Sequence, residues 1–368
     1  MGTHRSGSGS RGLARWVIAA IAAVLVVIAV AGAMLWLLGR SEQEGRDAAA
    51  TCVEGDLQLK VAAAPALVES LRRVADGFNS SGTVSNDYCP RAEVTGVDSP
   101  VALSALAGTW DPKLGPAPAV WIPESSIWTA RLAAAKPAEL SGQPTSIASS
   151  PGVLAVRGSA RQAFDGVRWV DVPARQADLG ISLPTAGSGA DGTYLAAQSV
   201  AAAVARTGGA AIDEEAARGP LVTGTLNRWA SAAPKTANAT AALEGLMVPS
   251  DSLRAVPVTE QQLYAFARGR GETAPVAVYP AGPTAAATYP AAVLDREGVT
   301  EAQRRAASDF VAYIGKGENA KPLAEAGFRV AGQPTPDKTS SVSFGTVQPL
   351  APAANPAVMA IADAITPK

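Results

Sequence analysis

Histidine is almost missing from this chain, and charge, aromatics and cysteine are scarce. The one histidine in 368 residues is His4, inside a Gly/Ser-rich amino-terminal tail. A folded region downstream therefore has no imidazole for a Ser-His-Asp or Cys-His catalytic site, and none for a zinc or haem ligand. Two cysteines, Cys52 and Cys89, cannot alone build a zinc ribbon or an iron–sulfur centre. Charged residues make up only 17%, and 31 Lys+Arg nearly cancel 32 Asp+Glu to leave a net charge of −1. That balance carries no electrostatic footprint for nucleic acid. Aromatics at 5% give few platforms for stacking sugars, and no spacing isolates a carboxylate pair for glycoside hydrolysis. The sequence therefore predicts a non-enzyme without a cofactor or metal site.

What the chain has in quantity is alanine, roughly a fifth of all residues, so much of its 48% apolar content is small side chains. At about 150 residues per domain the length suggests two domains or lobes. One stretch stands apart. Residues 16–38 read WVIAAIAAVLVVIAVAGAMLWLL without a charge, long enough to cross a bilayer as a helix. A signal-peptide core is shorter, so a retained anchor is the leading expectation. A long signal peptide cut near Ala48-Ala49-Ala50 is the rival. Arg5, Arg11 and Arg15 precede the span, which places residues 1–15 in the cytoplasm and everything after the 39–51 linker outside, as a single-pass cell-membrane protein. An exported region meets oxidising conditions, so Cys52 and Cys89 are expected as a disulfide. On the loop-entropy model, closing a loop of about 37 residues is worth roughly 3–4 kcal/mol. A lipid-anchored Cys52 fits less well, because Thr51 precedes it and the apolar run ends well upstream.

Beyond the linker, strand-like and helix-like segments alternate. DLQLKVAA (56–63), RAEVTGV (91–97) and APAVWIP (117–123) read as strands. The helix expected over 65–79 has Leu67, Val68, Leu71, Val74, Ala75 and Phe78 at helical spacing, with Pro65 in its first turn. Helices are also expected over 100–107, 125–135, 192–205, 214–230, 260–268, 300–315 and 318–328. Extended segments are expected over 146–158, 177–184, 243–250, 275–280 and 288–294. Alternation of this kind argues for α/β architecture with covered sheets. From 332 the composition shifts to Pro, Ser and Thr, which reads as a linker or tail.

The segments VAAAPALVESLRRVADGFN, AVWIPESSIW, SIASSPGVLAV, PTAGSGADGTY, VPVTEQQLYAF, VAVYPAGP with TYPAAVL, and EAGFR carry a resemblance by their shared order and spacing. So do Cys52 and Cys89, each just before a strand. Over about 52–331 the chain resembles the extracellular solute-binding-like domain of actinobacterial membrane proteins. That family has the type 2 periplasmic-binding-protein fold and often also a von Willebrand factor A domain. No D-x-S-x-S pattern is found, so an A domain is not expected here. The resemblance implies two lobes, about 52–145 with 289–331 and about 146–288, joined by two crossing strands around a ligand cleft.

The candidate ligand contacts follow from that cleft and from loop chemistry. Ala64 and Pro65 lie in the loop after the first strand, which offers backbone amides or is a plain turn. Anion-binding relatives commonly carry a serine there; Ala64 has no hydroxyl, which disfavours an oxyanion such as molybdate or sulfate. Ser125 and Ser126 offer hydroxyls and the adjacent Glu124 a charge for a cationic group, unless Ser125 is only a helix cap. Ser188 and Gly189 belong to a Gly-rich loop shaped like an anion nest, although Asp191 there would repel an anion. Ser149, Ser150 and Tyr289 sit in the expected hinge. Thr259 opens TEQQ, which reads as a helix cap or a cleft contact. The leading expectation is an anchored, extracytoplasmic protein that binds a small-molecule solute. The alternatives are a cell-envelope protein interaction or scaffold module with a disused cleft, and the receptor of a transport system.

Overall fold

The computed structural model describes residues 28, 30, 32, 34, 36, 52–185, 190–248 and 252–366. The chain divides into two units, 1–53 and 54–368. In the first, Ile28, Val30, Gly32, Met34 and Trp36 are helical and exposed. The remainder of the expected span 16–38 lies outside the described residues. Among the described residues no helix is long and apolar enough to cross a membrane. Cys52 and Cys89 are disulfide-bonded, as expected from the sequence.

The second unit is an α/β fold with two main sheets. Its strands are β1 (Gly55–Ala63), β2 (Tyr88–Gly96), β3 (Val120–Ile122), β4 (Thr145–Ser146), β5 (Ser150–Val156), β6 (Ala255–Thr259), β7 (Val276–Val278), β8 (Ala286–Ala287) and β9 (Pro290–Val293). The main helices are α1 (Val68–Ser80), α2 (Ser99–Ala107), α3 (Ser126–Ala135), α4 (Ala190–Ala205), α5 (Pro220–Ala232), α6 (Ala239–Met247), α7 (Glu260–Ala267), α8 (Glu301–Ile314) and α9 (Asn355–Ile365). The first sheet runs β2-β1-β3-β9-β4, parallel from β2 through β3 and antiparallel at β9 and β4. The second is antiparallel and centred on β5, which pairs with β6, β7 and β8.

Side-chain alternation along the strands sorts the core into three layers. Val61 of β1 and Val120 and Ile122 of β3 face α1 and α8, where they meet Leu71, Phe78, Phe310 and Ile314. Val153 of β5 and Val256 and Val258 of β6 face α6 and α7 on the far side of the second sheet. Their neighbours Ala62, Trp121, Leu154 and Val156 all join a shared middle layer with α2 to α5. The interior is thus one apolar seam between two sheets, each also covered on its outer face.

The chain crosses between the sheets at 146–150 and 287–290, where Pro290 pairs with Ser146 and Ala287 with Ser150. These crossings fall within the two segments where a hinge was expected. A third crossing was not expected. Arg329 pairs with Ser149 beside them, and the segment beyond carries Val342 and Phe344 into the outer core of the second sheet. The region from 332, expected as a linker or tail, instead folds back and ends in α9. Val358, Ile361 and Ile365 of α9 are buried in the shared layer against α3, α4 and α5. Its apolar residues recur at helical spacing behind Asn355-Pro356, a signal masked by the Pro-rich run before it.

Two further departures have local causes. Residues 243–250, expected as a strand, belong to α6 as far as Met247, because Asn238 caps the helix by accepting from the Ala241 amide. The single helix expected over 214–230 breaks at Gly219-Pro220 into Glu214–Arg218 and α5, since proline has no N–H to continue the ladder.

Candidate functional site

β3 ends at Ile122, and the three residues before α3 carry Pro123, Glu124 and Ser125 into the gap between the sheets. Glu124 and Ser125 are 4% and 5% exposed. Opposite them stands the first turn of α4. It is pressed so closely onto β6 that a Cβ on Gly192 would lie 2.4 Å from the Pro257 carbonyl oxygen. Only glycine allows that approach, and the approach delivers the fully buried Asp191 to Glu124 and Ser125.

Asp191 is well supplied with donors. The Ser125 hydroxyl donates to it, Trp128 Nε1 donates at 3.1 Å, and the Arg131 guanidinium adds favourable charge. Burial nevertheless raises its pKa above the ordinary aspartate range. Glu124 is pushed well above the glutamate range, first by burial and then by the charge of Asp191. Two carboxyls packed this closely cannot both ionise at low cost. Glu124 hydrogen-bonds to Asp191, and its backbone N–H donates to Ser99 Oγ. Its Oε2 is buried and has no hydrogen-bond partner.

Glu124 also lines a cavity of about 310 Å³. One wall is Pro65, Ala66 and Glu124, from the first-sheet side. The other includes Asn238 and Leu243 at α6 and Gln261 and Phe266 at α7. Gln261 is 3% exposed; its Nε2 donates to the Ala326 carbonyl, and its Oε1 has no partner. Several backbone amides near the cavity are engaged. The Ala64 N–H donates to Ile122, Gln261 N–H to Ser150 Oγ, Gln262 N–H to Thr259 Oγ1, and Ala241 N–H to Asn238.

The expected site residues divide accordingly. Pro65 lines the cavity, whereas the buried Ala64 has given its amide to β3. Ser125 faces Asp191 and makes no side-chain cap of α3. Ser126 is exposed on the first turn of α3 and lines no part of the cavity. Ser149 is bound to the Arg329 carbonyl. Ser150, Thr259 and Tyr289 converge behind the cavity: the Tyr289 hydroxyl hydrogen-bonds with Thr259 and Ser150, and its ring packs edge-on against Phe328 at 4.9 Å. Burial raises the Tyr289 pKa, as do the charges of Glu124 and Asp191. Thr259 also closes a capping box with Gln262, so it serves the helix before any ligand. Ser188 and Gly189 lie outside the described residues. The sequence reading took Asp191 as a charge that would repel an anion and gave Trp128 and Ser99 no role in the site. No local pattern could pair Asp191 with Glu124, 67 positions earlier. A larger groove of about 640 Å³ lies among Val170, Arg206, Leu221 and Arg228, but it is walled by second-sheet elements only.

A family model described as bacterial extracellular solute-binding protein matches residues 59–329. An uncharacterized protein of Mycobacterium tuberculosis, found in strains CDC 1551 and H37Rv, is 35% identical over 354 residues. That match takes in 89% of this chain and 50% of the relative, so the chain spans about half the length of the curated relatives it matches. Among solved structures, Trichodesmium IdiA (FutA) with iron and citrate aligns with a TM-score of 0.58 at 14% identity, over 84% of this chain and 98% of that one. Iron-bound HitA of Pseudomonas aeruginosa aligns at 0.55 and 15% identity, over 84% and 97%. The apo ferric ion-binding protein A of Pasteurella haemolytica aligns at 0.58 and 10% identity, over 84% and 96%. At these identities the likeness is one of fold.

Proposed function

The chain belongs to the family of bacterial extracellular solute-binding proteins, and we propose that it is an anchored, extracytoplasmic member that holds a small ligand between two lobes. Residues 16–38 would be the anchor, with the amino terminus cytoplasmic. The lobes would be about 52–145 with 289–331, and about 146–288. The observation that carries this reading is the cavity of about 310 Å³ whose walls come from both sheet regions beside two adjacent hinge segments. Convergent polar groups in a small apolar-walled pocket are what a solute site needs. Iron, named for some of the fold neighbours, is not proposed as cargo. Among the described residues no group of three or more His, Cys, Asp or Glu is placed to hold a metal ion.

A thermal-shift screen of the purified chain against amine, sugar, carboxylate, oxyanion and metal panels tests the reading. A ligand at a hundred times its dissociation constant should add roughly 2.7 kcal/mol. A flat response across all five classes would sink it. A second reading, an envelope interaction module with a closed and unused cleft, draws on α9 and the third crossing. Both bind the two sheet regions into one apolar layer, which resists hinge opening. Under that reading the scattering-derived radius stays fixed with every ligand class. The transport-receptor variant calls for a permease encoded beside this chain.

A further inference from the structure

Taking the two-lobe solute-binding reading as its basis, we propose that Glu124 and Asp191 form a pH-operated latch between the lobes. It is shut while the two carboxyls share a proton and released when both ionise. The argument starts from which lobe supplies each group. Glu124, Ser125, Trp128 and Arg131 come from the loop after β3 and from α3, in the first lobe. Asp191 and Tyr194 come from α4, in the second. The side-chain hydrogen bonds of Asp191, with Ser125, Trp128 and Glu124, therefore run from one lobe to the other. Beside them the Arg131 guanidinium lies over the Trp128 ring at 5.1 Å and over the Tyr194 ring at 5.4 Å. The two rings meet edge-on at 6.4 Å. One small cluster thus fastens α3 to α4.

The second step is electrostatic. With one proton between them, the buried pair carries a single negative charge, which the Ser125 hydroxyl, the Trp128 indole and Arg131 meet. Without it, two like charges face each other at hydrogen-bonding range in a poorly screened interior. The groups facing Glu124 are Asp191 on α4, Asp98 and Ser99 at the start of α2, and the Tyr289 hydroxyl in the second crossing. Arg131 of α3 faces Asp191 and is the one cation among these groups. Inside one rigid lobe, the repulsion would be borne as lost stability. Across a hinge it has another outlet: the lobes part and water reaches both carboxylates. The crossings at 146–150 and 287–290 supply that hinge. Burial and the charge of Asp191 both raise the Glu124 pKa, which puts release above the ordinary glutamate range. Because α9 packs on both α3 and α4, the expected motion is a small separation rather than a wide swing.

The test uses the full chain in mild detergent, with spin labels at two exposed positions, Asp76 of α1 and Asn227 of α5. The labels are attached through unnatural ketone side chains, which leaves the Cys52–Cys89 disulfide untouched. Pulsed electron spin resonance reads the interlobe distance from pH 5 to pH 9, with circular dichroism on the same samples. In the wild type the ratio of long to short distances should rise about tenfold per pH unit across the transition, as one proton is lost. In Glu124→Gln the short distance should persist at every pH, because the amide keeps the bond to Asp191 and does not titrate. Should that variant fail to fold, Asp191→Asn also leaves a single ionisable carboxyl and gives the same expectation. A distance that stays fixed with pH overturns the latch, whatever the melting temperature does. So does lengthening that is equal in Glu124→Gln, or that comes with loss of the circular dichroism signal. If pH leaves the distance fixed but a compound from the thermal-shift panels moves it, the latch fails and the solute-binding reading stands. If neither pH nor any panel moves it and the screen is flat, both fall.

Discussion

Two glutamates occupy matching places in the fold and live in opposite circumstances. Glu124 and Glu260 each follow the last residues of a buried strand and stand at or before the start of a helix, and each is almost wholly buried. Glu260 is saturated. Arg329 clamps it with two bonds of 2.7 Å, the Tyr279 hydroxyl donates at 2.7 Å, and Arg329 also reaches the Gly345 carbonyl. Glu124 has another acid for a neighbour and keeps an empty acceptor. The first arrangement ties the third crossing and the returning carboxy-terminal segment to the second sheet. The second leaves a buried carboxyl oxygen without a hydrogen-bond partner. Burial of a carboxylate alone therefore says little about function; what its remaining lone pairs meet decides.

The largest break in that comparison should come from Arg329→Met, which strands Glu260. Urea melts are expected to show a loss of about 3–5 kcal/mol, the usual cost of leaving a buried charge unpaired. A loss below 1 kcal/mol would mean that the clamp is dispensable. Trp128→Phe removes a buried donor from Asp191 and should cost about 1–3 kcal/mol in the same measurement. Tyr279→Phe takes away one of several donors to Glu260, and about 0.5–1.5 kcal/mol is expected.

The smallest effect at acid pH should be that of Glu124→Gln, within about 1 kcal/mol, because the amide copies the protonated acid. The two proteins should then part as pH rises. A glutamate whose folded pKa lies above its unfolded value stabilises the fold fully below the unfolded value, near 4.3. It loses that contribution as pH climbs through the raised folded value. The groups facing it are Asp191 on α4, Asp98 and Ser99 at the start of α2 and the Tyr289 hydroxyl, with Arg131 of α3 acting on Asp191. Melting temperatures from pH 4 to 9 should show the wild type falling relative to Glu124→Gln; parallel curves would remove the shared proton from the account.

Much of the scaffold was legible because it rests on local rules. The α1 periodicity of Leu67, Leu71, Val74 and Phe78, the caps at Thr259 and Thr300, and the alternation of strands and helices all appear where the spacing puts them. The hinge segments were visible as extended runs. Less legible were α6, where the short apolar run from Leu243 to Val248 reads as a strand although Leu243 and Leu246 are spaced for a helix, and the break at Pro220, which propensity alone does not enforce at every proline. The Pro-rich approach to α9 read as a tail because nothing local reveals a distant groove waiting for Val358, Ile361 and Ile365.

By itself the sequence determined the class. Without histidine beyond the tail and almost without net charge, it offers no imidazole to a folded site and no electrostatic footprint for nucleic acid. Its alternating pattern set an α/β fold, and it marked Glu124 as a charge suited to a cation. Only tertiary structure decided which amides were spent inside the protein, that Asp191 should sit against Glu124, and that two oxygens should be left over. Those facts depend on partners far apart in the chain, such as Gln261 with Ser150, 111 positions away. Local propensity acts over a few residues, whereas hydrogen-bond satisfaction is settled by whichever groups the packed core brings together.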